Sequence, residues 1–367
     1  MGITIKEIGF KTVRRPLKTP FKSVLQQVDE REVIVVSVQD ESGDIGYGEC
    51  VAFETPWYTE ETITSCRFVL EHVLLPLLRG QNFQHPKEVW ELFKAVKGNR
   101  MAKAAIEMAV WDLFAKQQQQ PLWQFVGGIL KAVPAGIVIA ADPSQIGDRV
   151  AQANNAGYKR IKIKIHPDTD PFVLKSVVTN YPELLFFADA NGSFNKANFE
   201  RLKEFDDVGF TLIEQPFGER EWALHARAKA QLNTKICLDE SISSVDDVQQ
   251  MIDMKAGDIV VLKMSRLGGW TETLKVVELC REHSIGMWVG GMIEFGVSKA
   301  HNLALASLPG IEYPGDFSAS THFWEKDIIE PEIFVDNGEI QLSQLTGIGY
   351  KVDTAHLSPS EEAKECF

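Results

Sequence analysis

A chain of 367 residues, 44% hydrophobic and 24% charged, is long enough for one barrel-sized core plus a smaller second unit. Its formal net charge of −13 at pH 7 argues against nucleic acid or an anionic membrane surface as the main partner. Five scattered cysteines (Cys50, Cys66, Cys237, Cys280, Cys366) without metal spacing, no basic-then-apolar leader and no window of about 18 apolar residues predict a cytoplasmic protein with reduced thiols that neither spans nor docks on a membrane.

Residues 3–15 and 32–50 read as strands, the second closing on itself through a glycine-containing turn at Glu41–Asp44. Helical periodicity follows over Glu60–Leu78, Pro86–Val96 and Met101–Lys116, the last apolar on most sides and therefore expected to be buried. Strands followed by a block of helices predict an α+β capping domain over residues 1–125.

Alternation of strand and helix begins near Val133. Apolar runs then end in a charge at Lys164, Asp189, Glu214, Asp239 and Lys263, at steps of 25, 25, 25 and 24 residues. A short buried strand, a helix and two loops fill such an interval. With Val133–Ile139 as first strand, Gly286–Gly290 as seventh and Ile311–Tyr313 as the start of the last, eight strands fit. The fold class is α/β, a (β/α)8-type barrel over residues 131–320. Residues 321–367 break the alternation, with short strands and turns over Glu330–Tyr350, and are expected to return to the capping domain. Cys237 falls inside a barrel strand as a small core residue.

Charges at the C-terminal ends of parallel strands converge on one mouth of a barrel. Asp189, Glu214 and Asp239 offer only hard oxygen ligands, which favours Mg²⁺, with Mn²⁺ as a substitute, over Zn²⁺. Lys162 and Lys164 are two apart on one strand and point to one face. Ammonium groups crowded there and near Lys263 are expected to depress one another's pKa and so to produce a general base. Arg266, three residues past Lys263, adds a positive charge that would hold Lys263 deprotonated. A small-molecule carboxylate is the expected substrate, its α-proton taken by a lysine while the metal stabilises the resulting enediolate. The Gly290-Gly291 pair suits close backbone approach to that carboxylate rather than a phosphate cradle. His166, His301 and His322 read as core or surface histidines.

The motifs Lys162-Ile163-Lys164, Asp189-Ala190-Asn191, Glu214-Gln215-Pro216 and Asp239-Glu240-Ser241, with Lys263 and the segment Ala104–Leu113, resemble the enolase superfamily over nearly the whole chain. Within it the chain is similar to the muconate-lactonizing-enzyme subgroup. Gly290–Glu294 and Gly315–Ser320 look most like the group of o-succinylbenzoate synthases and N-acylamino acid racemases. The resemblance implies a modified TIM barrel under the cap, and Asp189, Glu214 and Asp239 as Mg²⁺ ligands. It makes Lys164 the base on one substrate face, Lys162 its electrostatic modulator and Lys263 the residue on the other face. Asn191 and Glu294 would support the ligands from behind. Cap loops carrying Phe21 and Phe53 would cover the mouth and, with Gly291, Met292, Ile293 and Phe323, line the substrate's apolar tail. A homo-oligomer is expected as well. The implied reactions are a dehydration in menaquinone synthesis and, as the alternative, racemization of an N-acylamino acid. Muconate cycloisomerization fits the Gly290–Glu294 and Asp316 segments less well. Dipeptide epimerization would call for Asp-x-Asp where this chain has Asp316-Phe317-Ser318. A barrel kept only for binding gives no reason to gather three acids and three lysines.

Overall fold

The computed structural model describes residues 2–22, 26–140, 143–354, 357 and 363–366. The chain opens with an antiparallel sheet of β1 (Ile3–Lys22), β2 (Gln27–Asp40) and β3 (Ile45–Cys50). The hairpin turn lies where the sequence puts it, with Gly43 at φ 92°. Both long strands run further than the apolar alternation indicates. Their pairing extends to Lys22 opposite Gln27, with an irregularity between Pro16 and Phe21. That extension is made of polar and proline-containing chain, so hydrophobic period could not reveal it.

The helix expected over Glu60–Leu78 starts at Ile63, where Thr62 and Ser65 form a reciprocal cap. It widens into a π-turn over Leu70–Leu74 before a last α-turn from Leu75 to Leu78. Pro76 lacks the N–H that a regular α-turn would need there, and the wider turn accommodates it. The helix Arg100–Gln117 is buried from Met101 to Ala115, as its apolar circumference requires. It lies against β3 so closely that a Cβ at Gly46 or Gly48 would strike the backbone at Ala109 or Ala105. Asn99 makes no side-chain cap for this helix. Glu61 does so from a distance, accepting from Met101 N and Ala102 N.

Eight parallel strands form the barrel: β4 (Ala132–Ile139), β5 (Arg160–Lys164), β6 (Leu185–Asp189), β7 (Leu212–Glu214), β8 (Lys235–Leu238), β9 (Ile259–Leu262), β10 (Gly286–Val289) and β11 (Gly315–Asp316). The hydrogen-bonded order is β10-β9-β8-β7-β6-β5-β4-β11, a nearly closed ring. The last strand begins at Gly315 rather than Ile311, because Pro314 cannot donate to a ladder. Phe187, Leu212, Cys237, Ile259, Val261 and Trp288 fill the interior as a separate apolar cluster. Cys237 is fully buried there and receives Trp288 Nε1 on its sulfur at 3.3 Å.

The C-terminal segment touches both cap and barrel: Thr321 O accepts from Lys18 of β1 at 3.0 Å. Strand β12 (Glu339–Gln341) pairs antiparallel with β4 and buries Ile340 beside the barrel's N-terminal end. Strand β13 (Ala363–Cys366) joins the cap sheet, alongside β1. Cap and barrel are bolted together by buried polar contacts. Glu49 of β3 accepts from Phe295 N and Ser298 N at the start of the helix Gly296–Ala306. His301 on that helix accepts from Trp270 Nε1 through Nδ1 and so donates from Nε2 to Tyr47 O. Among the described residues, no helix is long and apolar enough to cross a membrane.

Candidate active site

Strand register brings the charges together. Lys164 pairs with Asp189, Asp189 with Glu214, and Glu214 with Cys237, so Asp239 stands two residues further along the next strand and on the same face. Lys263 follows β9 directly. Asp189, Glu214 and Asp239 are all buried, as are Lys162 and Lys263.

Lys164 Nζ lies 2.6 Å from Asp189 Oδ2 and 2.6 Å from Asn191 Oδ1. The Asn191 amide in turn donates to Glu240 Oε1 at 2.9 Å. Asn191 thus holds the Lys164 ammonium from one side and is itself fixed from the other. On the opposite wall, Lys263 Nζ lies 2.9 Å from Asp239 Oδ2 and donates to Tyr58 Oη at 2.5 Å. Arg266 donates to the same Tyr58 oxygen at 2.6 Å and to Asp239 Oδ1 at 2.7 Å. Tyr58 Oη donates to Asp239 at 3.1 Å. Arg266 and Lys263 therefore share two partners, Tyr58 and Asp239. Tyr58 sits in a cap loop with no recognisable motif, and nothing in the sequence marks it.

The expectation that crowding lowers the Lys162 pKa is overturned. Burial does press it down, but Asp316, Glu214 and Asp189 outweigh burial and hold it well above the ordinary lysine value. Its ammonium lies 2.9 Å from Asp316, 3.3 Å from Glu214 and 3.4 Å from Asp189. Asp316 also pairs with Arg160 at 2.7 Å, and the Arg160 guanidinium is fully buried over the rings of Phe187 and Trp288. A charged column, Arg160–Asp316–Lys162, thus runs up the barrel axis beneath the site. Lys162 is a fixed cation there rather than a base.

The acids respond to the same field. Burial would raise Asp189 and Asp239, yet Lys164 and Lys162 hold the first below its ordinary range, and Arg266 and Lys263 the second. Glu214 goes the other way: burial and the neighbouring Asp189 push it well above the usual carboxylate value, against the pull of Lys162. Its Oε2 is buried, with the Lys162 ammonium 3.3 Å away as its ion-pair partner. An all-oxygen set of three buried carboxylates suits a hard dication. As the side chains stand, ammonium groups occupy the carboxylates' open sides, and among the described residues no three acidic, histidine or cysteine side chains are arranged to hold an ion.

One cavity of about 980 Å³ opens over these groups. Phe21, Phe53, Gly291, Met292, Ile293 and Phe323 all line it, together with Lys162, Lys164, Lys263, Glu294 and Asp316. Phe53 does two things at once: it is only 6% exposed, packed on Trp57 and under Arg31, and it also faces the cavity. A Cβ at Gly290 would stand 2.6 Å from Val261 Cγ1 and 2.9 Å from Lys263 Cε, so the glycine leaves room for the Lys263 side chain. Ile293 adopts φ 55°, rare for a β-branched residue, in a loop that Glu294 braces by accepting from Met292 N at 2.5 Å and from Asn302 at 3.0 Å. His166 is half-exposed beside Asp168, and His301 is a core residue.

Comparison with known proteins agrees with this geometry. Residues 6–127 match the mandelate racemase / muconate lactonizing enzyme N-terminal domain, and residues 145–356 the enolase C-terminal domain-like family. The chain is 42% identical to o-succinylbenzoate synthase of Bacillus subtilis (strain 168) over 352 residues, covering 96% of this chain and 95% of that one. It is 38% identical to N-succinylamino acid racemase of Thermus thermophilus over 348 residues, 94% of each chain. An enolase superfamily member from Listeria innocua superposes with a TM-score of 0.96 at 36% identity over 99% of both chains. Muconate lactonizing enzyme of Pseudomonas fluorescens, with a TM-score of 0.91 at 21% identity over 96% of this chain and 98% of that one, shares the fold.

Proposed function

The chain is an enzyme that belongs to the enolase superfamily, and from that membership we propose that it is a cytoplasmic o-succinylbenzoate synthase serving menaquinone synthesis. The observation that carries this reading is the pair of lysine-bearing walls, Lys162/Lys164 and Lys263, facing each other across Asp189 and Asp239 at the floor of one cavity, with Glu214 buried on the strand between those two acids. The relatives named o-succinylbenzoate synthase support it.

Asp189, Glu214 and Asp239 would hold Mg²⁺, or Mn²⁺ in its place; bound there, the ion supplies positive charge against the substrate carboxylate as the α-proton leaves. Lys164, oriented by Asn191, takes that proton from one face and returns it to the departing hydroxide, so one residue serves as base and then acid. Lys162 stays cationic and offsets the three acids. Lys263, held by Tyr58 and Asp239, presents its ammonium on the opposite face, where it stabilises the enolate charge.

The opposed lysines also favour a second reading, racemization of an N-succinylamino acid, in which each lysine serves one face. The relative of that name in Thermus thermophilus supports it. Both activities should be assayed on one preparation, before and after chelation and after Mg²⁺ is restored. Loss on chelation with recovery on Mg²⁺ in the dehydration assay supports the first reading. An enzyme that turns over neither substrate with Mg²⁺ present would refute both.

A further inference from the structure

Lys299 lies on the helix Gly296–Ala306 rather than at a strand end. It is 2% exposed and lines the same cavity. An ammonium group has three N–H donors. Among the described residues, that of Lys299 makes one hydrogen bond, to Ser318 O at 3.2 Å, and lies 5.9 Å from the centroid of the Phe323 ring; no carboxylate pairs with it. Its place near the N-terminal end of a helix is unfavourable for a cation. A lysine buried for packing alone would carry a desolvation cost with nothing to offset it.

The surroundings are also positive. Lys18 of β1 donates to Thr321 O at 3.0 Å. Desolvation first, then the charges of Lys299 and Lys18, hold His322 below its ordinary pKa, and no acid counters them. The cavity therefore carries a further cation besides the lysines and carboxylates already described: its lining includes Lys299, Ser318 and His322 together with Gly291, Met292, Ile293 and Phe323.

We infer that Lys299 is a specificity-determining residue that binds a second carboxylate at the far end of the substrate's acyl tail. This rests on the reading of the site as one for succinyl-bearing carboxylates and names the group that would select the succinyl end. A tail ending in a methyl group would leave the Lys299 ammonium as unpaired as it now stands; a carboxylate would give it a charged partner out of water.

The test compares two ligands by titration calorimetry in Mg²⁺ buffer: o-succinylbenzoate, and 2-butanoylbenzoate, whose tail ends in methyl. Full-length wild type should prefer the first. Lys299→Met should weaken o-succinylbenzoate by about 10- to 100-fold, the range for a lost hydrogen bond to a charged group, and leave 2-butanoylbenzoate within about twofold. Lys299→Arg should recover part of the loss. Equal weakening of both ligands, or none of either, overturns the inference. Wild type that binds neither ligand overturns the proposed function and this inference with it. Should Lys299→Met fail to fold, Lys299→Arg and Lys299→Gln measured against the same ligand pair decide it by the same criterion.

Discussion

The Tyr58 hydroxyl is where cap and barrel meet at the chemistry, and its removal gives an asymmetric prediction. Its oxygen accepts from Lys263 and from Arg266 and donates to Asp239. Tyr58→Phe deletes all three bonds and keeps the ring. Hydrogen bonds to charged groups are each worth about 1.5–3 kcal/mol. Lys263 and Arg266 keep their direct contacts with Asp239, at 2.9 and 2.7 Å, so most of the ion pairing survives. What is lost is the fixed direction of the Lys263 ammonium, at a cost of about one such bond, or about 10- to 100-fold in a step that Lys263 performs. The assay is exchange of the α-proton of an N-succinylamino acid in D₂O, followed by NMR for each enantiomer separately. On the proposed racemase reading, one enantiomer would offer its proton to Lys164 and the other to Lys263. Tyr58→Phe should slow exchange of the Lys263-facing enantiomer by that factor, and leave the other, and dehydration, within about tenfold. Equal slowing of both enantiomers would refute the argument and make Tyr58 a packing residue. A melting curve on the same sample guards against simple unfolding.

Three further outcomes follow from the same geometry. Lys164→Ala should lower dehydration and racemization alike by at least about 10²–10⁴-fold, the worth of a general base, whereas Lys263→Ala should stop racemization and spare more of the dehydration; steady-state rates for both reactions check this. Phe53→Ala should raise KM or change acyl preference without changing Mg²⁺ affinity, and because the ring is packed under Arg31 it should also cost about 3–5 kcal/mol of stability, read by denaturant titration. His301 is held neutral, its pKa lowered from 6.5 to about 4 by burial. A base with a depressed folded pKa gives stability that is present above its unfolded value and lost as pH falls towards the folded one. The melting temperature should therefore drop between pH 6.5 and about 4, and His301→Gln should flatten that slope.

What the sequence made legible follows from how the barrel repeats. A constant interval fixes where in the ring each strand end falls, so Lys164, Asp189, Glu214, Asp239 and Lys263 could be placed on one mouth before any coordinates. The alternation that puts Lys162 beside Lys164 also carries Arg160 onto the same inward face, at the foot of the charged column. Neighbouring lysines alone give repulsion at Lys162, whereas Asp316 arrives from the eighth strand, 154 residues later, and reverses the sign. Tyr58 is a different case. It lies on a loop outside any repeat, and its contacts with Lys263 and Arg266 span 205 and 208 residues. No period or spacing encodes a contact of that kind; it exists because the cap is pressed onto the barrel by Glu49 and His301. The chemistry common to the site is thus written in the periodic part of the chain. The cap residue that helps aim Lys263, Tyr58, comes from a segment without a period and is visible only once the two parts are docked.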